Sequence, residues 1–272
     1  LGYIPLDEDP ANYAQMMISI DPFITYINPI NNTKHSLKMR VFRDDYSPNG
    51  SDPAYSNVFY SDYQFQKTWD QINADFLPFN INHLVSTSGV TRNKVYAHDD
   101  DVYGEHTAFN YSFYSQADSK IEDKLNLSLG MRYEHFIFDD ETISTPLLRT
   151  GISYQLFKGT FLRSSFGSGF RYPSIVERYV TTNSGPVYVY PNPDLKPEGG
   201  WSGEIGLKQG IMIDNWKGFI DIAGFVMEYD DMIEFTFGRW DPLNNNVDQL
   251  IGMGFKCVNI GEARISGLEL SI

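Results

Sequence analysis

Apolar and polar residues alternate with a period of two along most of this chain. Residues 125–134 (LNLSLGMRYE) place Leu, Met or Tyr at every second position, with polar residues or glycine between them. The same alternation recurs in residues 35–42, 107–117 and 201–213. Because successive side chains of a β-strand point to opposite faces, the pattern predicts strands with one apolar face. Helical periodicity is nearly absent, so we predict an all-β fold of about eleven strands.

The connections between the predicted strands alternate in length. Short turns are predicted near residues 29–34, 68–73, 119–124, 157–160 and 213–218. Longer polar loops are predicted near residues 47–56, 88–106, 138–147, 171–200 and 236–254. An antiparallel up-and-down transmembrane β-barrel has this form, with short periplasmic turns and long extracellular loops.

The composition excludes several classes of protein. The 272 residues carry 35 acidic and 21 basic side chains and a net charge of -14, which disfavours a nucleic-acid partner. The mean hydropathy of -0.34 and the lack of an apolar run near ~18 residues exclude a transmembrane helix, but not a barrel strand. Aromatic residues make up 15% of the chain, as the aromatic girdles of a barrel require. The single cysteine, Cys257, allows no disulfide within the chain.

Both ends of the sequence are expected to be cut. The first residues, LGYIPLDEDP, lack the basic region and apolar core of a signal peptide, and the last residues, GLELSI, stop inside an alternating run. A bacterial single-chain membrane barrel needs an even number of strands, and open strand edges are not tolerated in lipid. We therefore expect a piece of a longer protein that does not fold alone.

Five segments follow one another in the second half of the chain. They are FGSGFRYPSIVERY (166–179), PNPDLKPE (191–198), GEIGLKQG (203–210), GFIDIAGFVMEYDDMIEF (218–235) and VNIGEARISGLELSI (258–272). Together they resemble the second half of a TonB-dependent outer-membrane receptor barrel. In that family a Phe-Arg-x-Pro-Ser strand end opens a long extracellular loop, which Asn-Pro-Asp-Leu-Lys-Pro-Glu closes before the next strand.

Two further strand patterns carry the resemblance. A Tyr-x-Asp-x-Ile strand end is matched by residues 229–233. An Asn-x-x-x-Ala-x-x-x-Gly-x-Glu strand is matched by Asn259, Ala263, Gly267 and Glu269. The close match covers residues 161–272, whereas residues 1–160 match only in their meander and barrel-type strands.

The resemblance implies a plugged barrel of roughly 22 strands, of which this chain would supply about half. Residues 1–272 would then be one partial barrel domain, without the plug domain and the segment that contacts TonB. Such a protein lies in the outer membrane of a Gram-negative bacterium, surrounded by outer-membrane lipid, and is energised by a TonB-type complex acting through the plug. It imports a scarce small-molecule nutrient, most often a ferric siderophore or similar metal chelate, and it carries no cofactor. Cobalamin, haem and glycans stay open as substrates.

Exposed aromatic residues with an arginine are typical of a mouth that binds small molecules or glycans. Such residues on the predicted long loops are Tyr188, Tyr190, Arg239 and Trp240. We interpret them as candidate ligand-binding residues, with an aromatic girdle or loop packing as the alternative.

The segment AHDDDVYGEH (97–106) is dense in carboxylates and flanked by histidines. Its candidate metal ligands are His98, Asp99, Asp100, Asp101, Glu105 and His106. Clustered oxygen ligands suit calcium, and the histidines would suit a transition metal. The alternative is a solvated acidic loop tip, because the spacing is not that of an EF-hand.

Charged residues also recur on the polar strand faces, which would line the lumen of a plugged barrel. They are Arg132, Glu134, Arg163, Glu204 and Lys208. They are candidates for contact with the plug, or they are solvated lumen residues.

The proline-rich stretch before residue 201 is interpreted as structural. Pro191, Pro193 and Pro197 fix the backbone and cannot donate to a sheet, while Asn192 and Asp194 suit turns. We expect a stiff ramp into the next strand rather than a ligand contact.

No catalytic motif is present, so we expect no enzymatic activity. The rival hypothesis is a soluble β-sandwich or propeller that binds or acts on carbohydrate, with its apolar faces buried between sheets. A barrel-type adhesin or passive porin is a third hypothesis.

Overall fold

The computed structural model describes residues 13–48, 53–72 and 80–272, which form almost wholly β-strands. The first strands are β1 (Tyr13–Ile20), β2 (Phe23–Asn28), β3 (Thr33–Pro48), β4 (Ala54–Ile72), β5 (Ile81–Asp99), β6 (Gly104–Ile121), β7 (Leu125–Phe138), β8 (Glu141–Phe157) and β9 (Thr160–Arg171). A short helix α1 (Ile175–Tyr179) and strands β10 (Thr182–Ser184), β11 (Val187–Tyr190), β12 (Glu198–Ile213), β13 (Trp216–Asp230), β14 (Ile233–Arg239), β15 (Met253–Asn259) and β16 (Ala263–Ser271) follow. In these ranges no helix has the length and apolar character needed to span a membrane.

Most strands belong to one large antiparallel sheet in sequence order, β1-β3-β4-β5-β6-β7-β8-β9-β12-β13-β16. β1 and β2 both pair with β3, on either side of a break at Asp21 and Pro22. Pro22 has no N–H to donate to the sheet, which explains the break. With β1 and β2 counted as one interrupted strand, the meander has eleven positions, which confirms the predicted topology and strand number. Within the described residues β1 and β16 do not pair with each other, so the sheet is open.

The two faces of the large sheet differ in polarity. On β7, Leu129 is 60% exposed and Met131 54% exposed, while the inward Glu134 is only 9% exposed. Ile205 on β12 repeats this outward exposure. An apolar outward face with polar groups inside is the arrangement of a transmembrane barrel. A soluble sandwich would bury that apolar face, and no second layer covers it in the part of the chain described here.

The turn predictions are confirmed in part. Tight turns at residues 29–32, 122–124, 158–159 and 214–215 match four of the five predicted short connections. The fifth predicted turn, at 68–73, is wrong for residues 68–72, because β4 continues to Ile72. Residues 73–79 lie outside the described ranges. The predicted loop 47–56 includes residues 49–52, which also lie outside them.

Two predicted long loops are wrong. Residues 88–106 form the paired ends of β5 and β6 around a turn at 100–103, and β8 begins at Glu141, directly after a turn at 139–140. Both segments carry polar residues on both faces of the paired strands, so the apolar alternation that marks a strand in the sequence is weak there.

The two longest connections form a second, four-stranded sheet. The connection from β9 to β12 contains β10 and β11, and the connection from β13 to β16 contains β14 and β15. Two antiparallel hairpins, β10–β11 and β14–β15, are joined by a parallel pair between β11 and β15. Since β9 and β13 run in the same direction, this second sheet lies at one end of the large sheet. The predicted loops at 171–200 and 236–254 are thus confirmed as long connections, but they are structured.

Candidate functional site

The connection after β9 begins with a capped helix. The Ser174 hydroxyl accepts a hydrogen bond from the Glu177 backbone N–H at 3.2 Å, and the Glu177 carboxylate accepts one from the Ser174 N–H at 2.8 Å. This capping box satisfies two donors at the start of α1. It starts a helix one turn long directly after Pro173, where the chain turns away from the barrel strand.

Arg178 in α1 is the most deeply buried charged residue among those described, at 1% exposure. Its Nε donates to the Pro193 carbonyl at 2.9 Å, its Nη1 to the Tyr172 hydroxyl at 2.9 Å, and its Nη2 to Glu141 Oε1 at 2.8 Å. These bonds join both halves of the connection to the rim of β8. A buried guanidinium is stable only when its donors are paired in this way.

Aromatic rings surround the Arg178 guanidinium. It lies 5.0 Å from the Phe138 ring centroid and 5.4 Å from that of Tyr179. The Tyr172 hydroxyl donates in turn to Glu141 Oε2 at 3.3 Å. Burial raises the pKa of Tyr172 to about 12, so this phenol stays protonated at neutral pH.

Arg171 forms a second anchor at the end of β9. Its Nη1 lies 2.8 Å from a Glu177 carboxylate oxygen, and its Nε lies 2.7 Å from Glu198 Oε2. The other Glu198 oxygen accepts from the Ile233 N–H at 2.6 Å. Burial alone would raise the pKa of Glu177, but the hydrogen bonds from Arg171 and Ser174 outweigh it and lower that pKa. The anchor ties β9, α1, β12 and β14 together.

His106 connects α1 to the inner wall. Its ring stacks on Tyr179 at a centroid distance of 3.8 Å. Its Nδ1 lies 2.7 Å from Asp139 Oδ2, and its Nε2 lies 2.8 Å from the Tyr103 carbonyl. The helix of the long connection therefore packs against the β5–β6 and β7–β8 hairpins at the mouth.

The proline stretch serves the structural role predicted for it. The Asn192 side chain donates to the Cys257 carbonyl at 2.8 Å. The Asn259 amide exchanges two hydrogen bonds of 2.9 Å with the backbone of Lys196. Leu195 is 3% exposed. The stretch is thus fastened to β15 before the chain enters β12.

The four candidate ligand residues come together in the second sheet. They are Tyr188 and Tyr190 in β11, Arg239 at the end of β14 and Trp240 directly after it. The two tyrosine rings lie 6.2 Å apart, and the Trp240 indole N–H donates to the Gly254 carbonyl at 3.1 Å. Arg239 donates to backbone carbonyls of its own loop. Their contact with a ligand stays a prediction.

The six candidate metal ligands do not converge on one point. Across the hairpin His98 pairs with Glu105 and His106 with Ala97, so the two histidines point to opposite faces. Asp99 accepts backbone hydrogen bonds within the turn. Within the described residues no group of three or more His, Cys, Asp or Glu side chains is placed to hold a metal ion.

The candidate lumen residues of β7 lie on the polar face as expected. Arg132 and Glu134 form an ion pair, and Glu134 also accepts from Asn110 at 2.8 Å. The Arg132 guanidinium lies 5.6 Å from the centre of the Tyr114 ring, whose hydroxyl donates to Asp62 at 3.0 Å. The network crosses from β7 to β4.

A second inward network lies on β9, β12 and β13. Arg163 donates to Glu204 at 3.1 Å and to Asp221 at 2.6 Å. Lys208 Nζ lies 4.1 Å from the Phe219 ring centre. Contact of either network with a plug stays a prediction.

The sequence reasoning missed the anchors of the long connection. Arg171 and Arg178 both lie inside the segment 166–179, but the family resemblance gives neither of them an anchoring role. The spacing of Ser174 and Glu177 is itself a capping-box pattern and marks a helix start that was overlooked. The burial of Arg178 had no such local signal, because its partners come from residues 141 and 193.

A family model described as TonB dependent receptor-like, beta-barrel matches residues 13–272. The chain belongs to the TonB-dependent receptor family. The match confirms the recognition made from residues 161–272 and extends it over nearly the whole chain. It also confirms the predicted fold class.

Named relatives of this receptor barrel include a haemoglobin-binding protein and a haemoglobin-haptoglobin utilization protein. The chain is 27% identical over 203 residues to the hemoglobin and hemoglobin-haptoglobin-binding protein of Haemophilus ducreyi, which covers 56% of this chain and 20% of the relative. It is 31% identical over 132 residues to the hemoglobin-haptoglobin utilization protein B of Neisseria meningitidis serogroup C, covering 45% of this chain and 16% of the relative. The matches thus span a fifth or less of these relatives.

Solved receptors share the fold at low identity. The hemophore receptor HasR of Serratia marcescens, in complex with its hemophore and heme, superposes with a TM-score of 0.70 and 16% identity, covering 95% of this chain and 46% of HasR. The siderophore receptor PirA of Pseudomonas aeruginosa gives a TM-score of 0.73 and 14% identity, covering 95% and 47%. These relatives are receptors and binding proteins rather than enzymes.

Proposed function

We propose that this chain is part of the barrel of an active transporter in the outer membrane of a Gram-negative bacterium, which imports an iron chelate. The second sheet supports this most. Two long connections leave the same end of the large sheet and pair with each other there. They carry aromatic and arginine side chains at the mouth, as a capture site for a small molecule requires.

Haem and a ferric siderophore are both iron chelates, and separate observations favour each. The sequence relatives named for haemoglobin binding and haemoglobin-haptoglobin utilization favour haem. The siderophore receptor with the same fold favours a ferric siderophore. Tyr188, Tyr190, Arg239 and Trp240 are the proposed contacts for either chelate.

The proposed mechanism consists of chelate binding and opening of the plug, and no covalent bond is formed or broken. The chelate binds at the mouth, and a plug domain packed against the inward polar networks blocks the lumen. A TonB-type complex of the inner membrane pulls the plug and opens a path. The proposed plug contacts are the charged residues that line the inward polar face of the sheet. They are Arg132, Glu134, Arg163, Glu204 and Lys208.

Growth under iron limitation tests the proposal. The gene of the intact receptor is deleted, and haem, haemoglobin or a ferric siderophore is supplied as the only iron source. Loss of growth on haem and haemoglobin alone identifies a haem receptor, and loss on the siderophore alone identifies a siderophore receptor. Growth that is unchanged on every iron source, in a strain without another receptor for it, contradicts the proposal. Deletion of the TonB-type partner must reproduce the defect.

A further inference from the structure

Arg149 is an inward cation halfway along a barrel strand. It is the middle residue of β8, which runs from the mouth to the tight turn before β9. Its register partners are Gly130 on β7 and Gly167 on β9. Register partners share a face of the sheet, and Gly130 lies two residues from the inward Arg132. Arg149 therefore projects into the lumen at a distance from both ends of the wall.

The Arg149 side chain has no partner on the wall. In the described part of the chain its guanidinium forms no ion pair, hydrogen bond or contact with an aromatic ring. Arginines on the same face of β7 and β9 are instead held by carboxylates. They are Arg132, Arg163 and Arg171. Since the chain has a net charge of -14, carboxylates are not scarce, and the donors of Arg149 stay available for a ligand.

Small residues form a recess around Arg149. They are Gly130, Gly151, Ser165, Gly167, Gly169 and Ser202, which the register places on the inward face. A Cβ atom at position 169 would meet no atom within 4 Å, and one at position 130 would meet only Gln116, at 3.8 Å. Close packing of the wall does not require glycine at these two positions. The small residues therefore leave open space beside the arginine.

Two cavities lie on either side of Arg149, and the residue lines both. One has a volume of about 520 Å³ and lies toward β12, with Gly167 and Gly169 in its lining. The other has a volume of about 450 Å³ and lies toward β6, with Gln116 and Gly130 in its lining. Sites for small molecules have volumes of about 300–1,000 Å³. The guanidinium thus stands between two spaces of the size that a small ligand needs.

We propose that Arg149 binds a carboxylate group of the iron chelate inside the lumen, as a transit site between the mouth and the periplasm. This rests on the proposed transport function and narrows the substrate to chelates with carboxylate groups. A guanidinium donates two parallel N–H groups to a carboxylate, which makes the contact both strong and directional. The recess lies on the wall of the path that opens when the plug moves.

A free arginine suits a ligand that passes through the lumen better than a partner that stays there. Arg132 and Arg163, which are proposed plug contacts, are already fixed by wall carboxylates. Arg149 is exposed and free to turn, so its side chain can follow a moving group. An anionic chelate also meets the carboxylates of Glu134 and Glu204 on this wall. A cation halfway along the path offsets that repulsion.

Uptake by cells that carry the intact receptor tests the proposal. Haem labelled with radioactive iron has two free carboxylates, whereas its dimethyl ester has none. We expect Arg149→Gln to lower the maximal rate of haem uptake at least about tenfold, the effect of losing a charge-assisted hydrogen bond. Equilibrium binding of haem to the same cells, which measures capture at the mouth, should not change. Uptake of the ester should match that of the wild type.

Matched variants and chelates separate the charge of Arg149 from other effects. Arg149→Lys keeps the charge and should retain most of the uptake. Arg92→Gln removes an arginine from the outward face of β5, where it lies over the Tyr111 ring, and should leave uptake unchanged. Ferric citrate, which is rich in carboxylates, and a ferric hydroxamate without them are assayed in parallel. Retarded migration of unheated samples in gel electrophoresis confirms that each barrel is folded.

Three outcomes overturn the proposal. The first is an unchanged rate of uptake of carboxylate chelates in Arg149→Gln, and the second is an equal loss of uptake for haem and its ester. The third is faster cleavage of the plug by protease in Arg149→Gln without chelate, which would identify Arg149 as a plug contact. Weaker equilibrium binding of haem would likewise assign Arg149 to capture rather than transit.

Failure of the proposed function is scored separately. Wild-type cells that take up no iron chelate through this receptor contradict the proposed function itself. Wild-type cells that take up only chelates without carboxylates contradict the role of Arg149 and leave the transport function intact.

Discussion

Arg163 of β9 reaches Asp221 of β13 across the strand that separates them, with an Nη1–Oδ2 distance of 2.6 Å. The intervening residue on β12 is Gly206, which pairs with Arg163. A Cβ atom at position 206 would lie 2.8 Å from Arg163 Nε. The glycine therefore leaves the space through which the ion pair forms.

The same arrangement occurs on the other half of the sheet. Tyr114 of β6 crosses Gly89 of β5 and donates to Asp62 of β4 at 3.0 Å. A Cβ at position 89 would clash with the Tyr114 ring and hydroxyl. At both places a long inward side chain spans three strands by crossing a glycine.

Gly206→Ala is expected to lower the stability of the intact barrel. The added methyl displaces the Arg163 side chain and weakens its bond to Asp221, and overpacking of this kind costs about 1–3 kcal/mol. The effect is measured by heating the purified receptor to increasing temperatures and finding, by gel electrophoresis, the temperature at which the band of the folded barrel is lost. Gly199→Ala in the same strand is the control, because a Cβ there meets no atom within 4 Å. An equal decrease in unfolding temperature for both variants would show that the Arg163–Asp221 ion pair across Gly206 does not contribute to stability.

Arg178→Met is expected to loosen the connection between β9 and β12. Methionine fills a similar volume but removes the hydrogen bonds to Glu141 and to the Pro193 carbonyl. Glu141 is 63% exposed and keeps the Tyr172 hydroxyl as a donor, so the loss is that of hydrogen bonds to a charged group, about 1.5–3 kcal/mol. Limited proteolysis of the intact receptor should then cut within residues 172–197, while the barrel strands stay protected. Arg264→Met is the control, since that side chain is 71% exposed. Protection equal to that of the wild type would contradict the anchoring role.

The same connection is expected to loosen at high pH. Burial raises the pKa of Tyr172 from its usual value of 10.0 to about 12. A raised folded-state pKa contributes stability that is complete below pH 10 and is lost as the pH rises from 10 through about 12. Proteolysis within residues 172–197 by a protease active in alkali should therefore accelerate over this window. Tyr172→Phe should remove this part of the pH dependence, and an unchanged profile would exclude Tyr172 as its source.

Leu129→Arg is expected to destabilise the barrel by about 2–4 kcal/mol if its side chain faces lipid near the midplane. Leu129 is 60% exposed on the outward face, so Leu129→Val should have little effect. Unfolding by urea in lipid vesicles measures both. A clear loss of stability for Leu129→Val as well would indicate a packed soluble core, which is sensitive to side-chain volume.

Tyr190→Ala and Trp240→Ala are expected to weaken chelate binding by the intact receptor without impairing barrel assembly. The second sheet holds both rings at the loop end, outside the large sheet. Equilibrium binding of haem and of a ferric siderophore gives the readout. Leu243→Ala serves as the control, because Leu243 is 89% exposed in the same connection. Unaltered affinity in both variants would remove the second sheet from the binding site.

Much of the fold could be predicted from local patterns. The alternation in residues 125–134 predicted both the strand and its outward face, because strand period and burial act on neighbouring residues. The segment 166–179 and the prolines at 191–197 predicted the family and the long connection. The same patterns failed at residues 88–106, where polar residues on both faces of the paired strands resemble a loop.

The sequence by itself therefore determined the two-residue period of the strands, the number of strands in the large sheet and the protein family. The tertiary structure alone decided which distant side chains meet. Arg178 is buried because a carboxylate 37 residues away lies beside it, and Arg163 finds Asp221 because Gly206 separates them. Arg92 lies over the Tyr111 ring because the register pairs these two residues. Lateral neighbours in a sheet depend on register and on strand order, and neither is written in the residues of one strand.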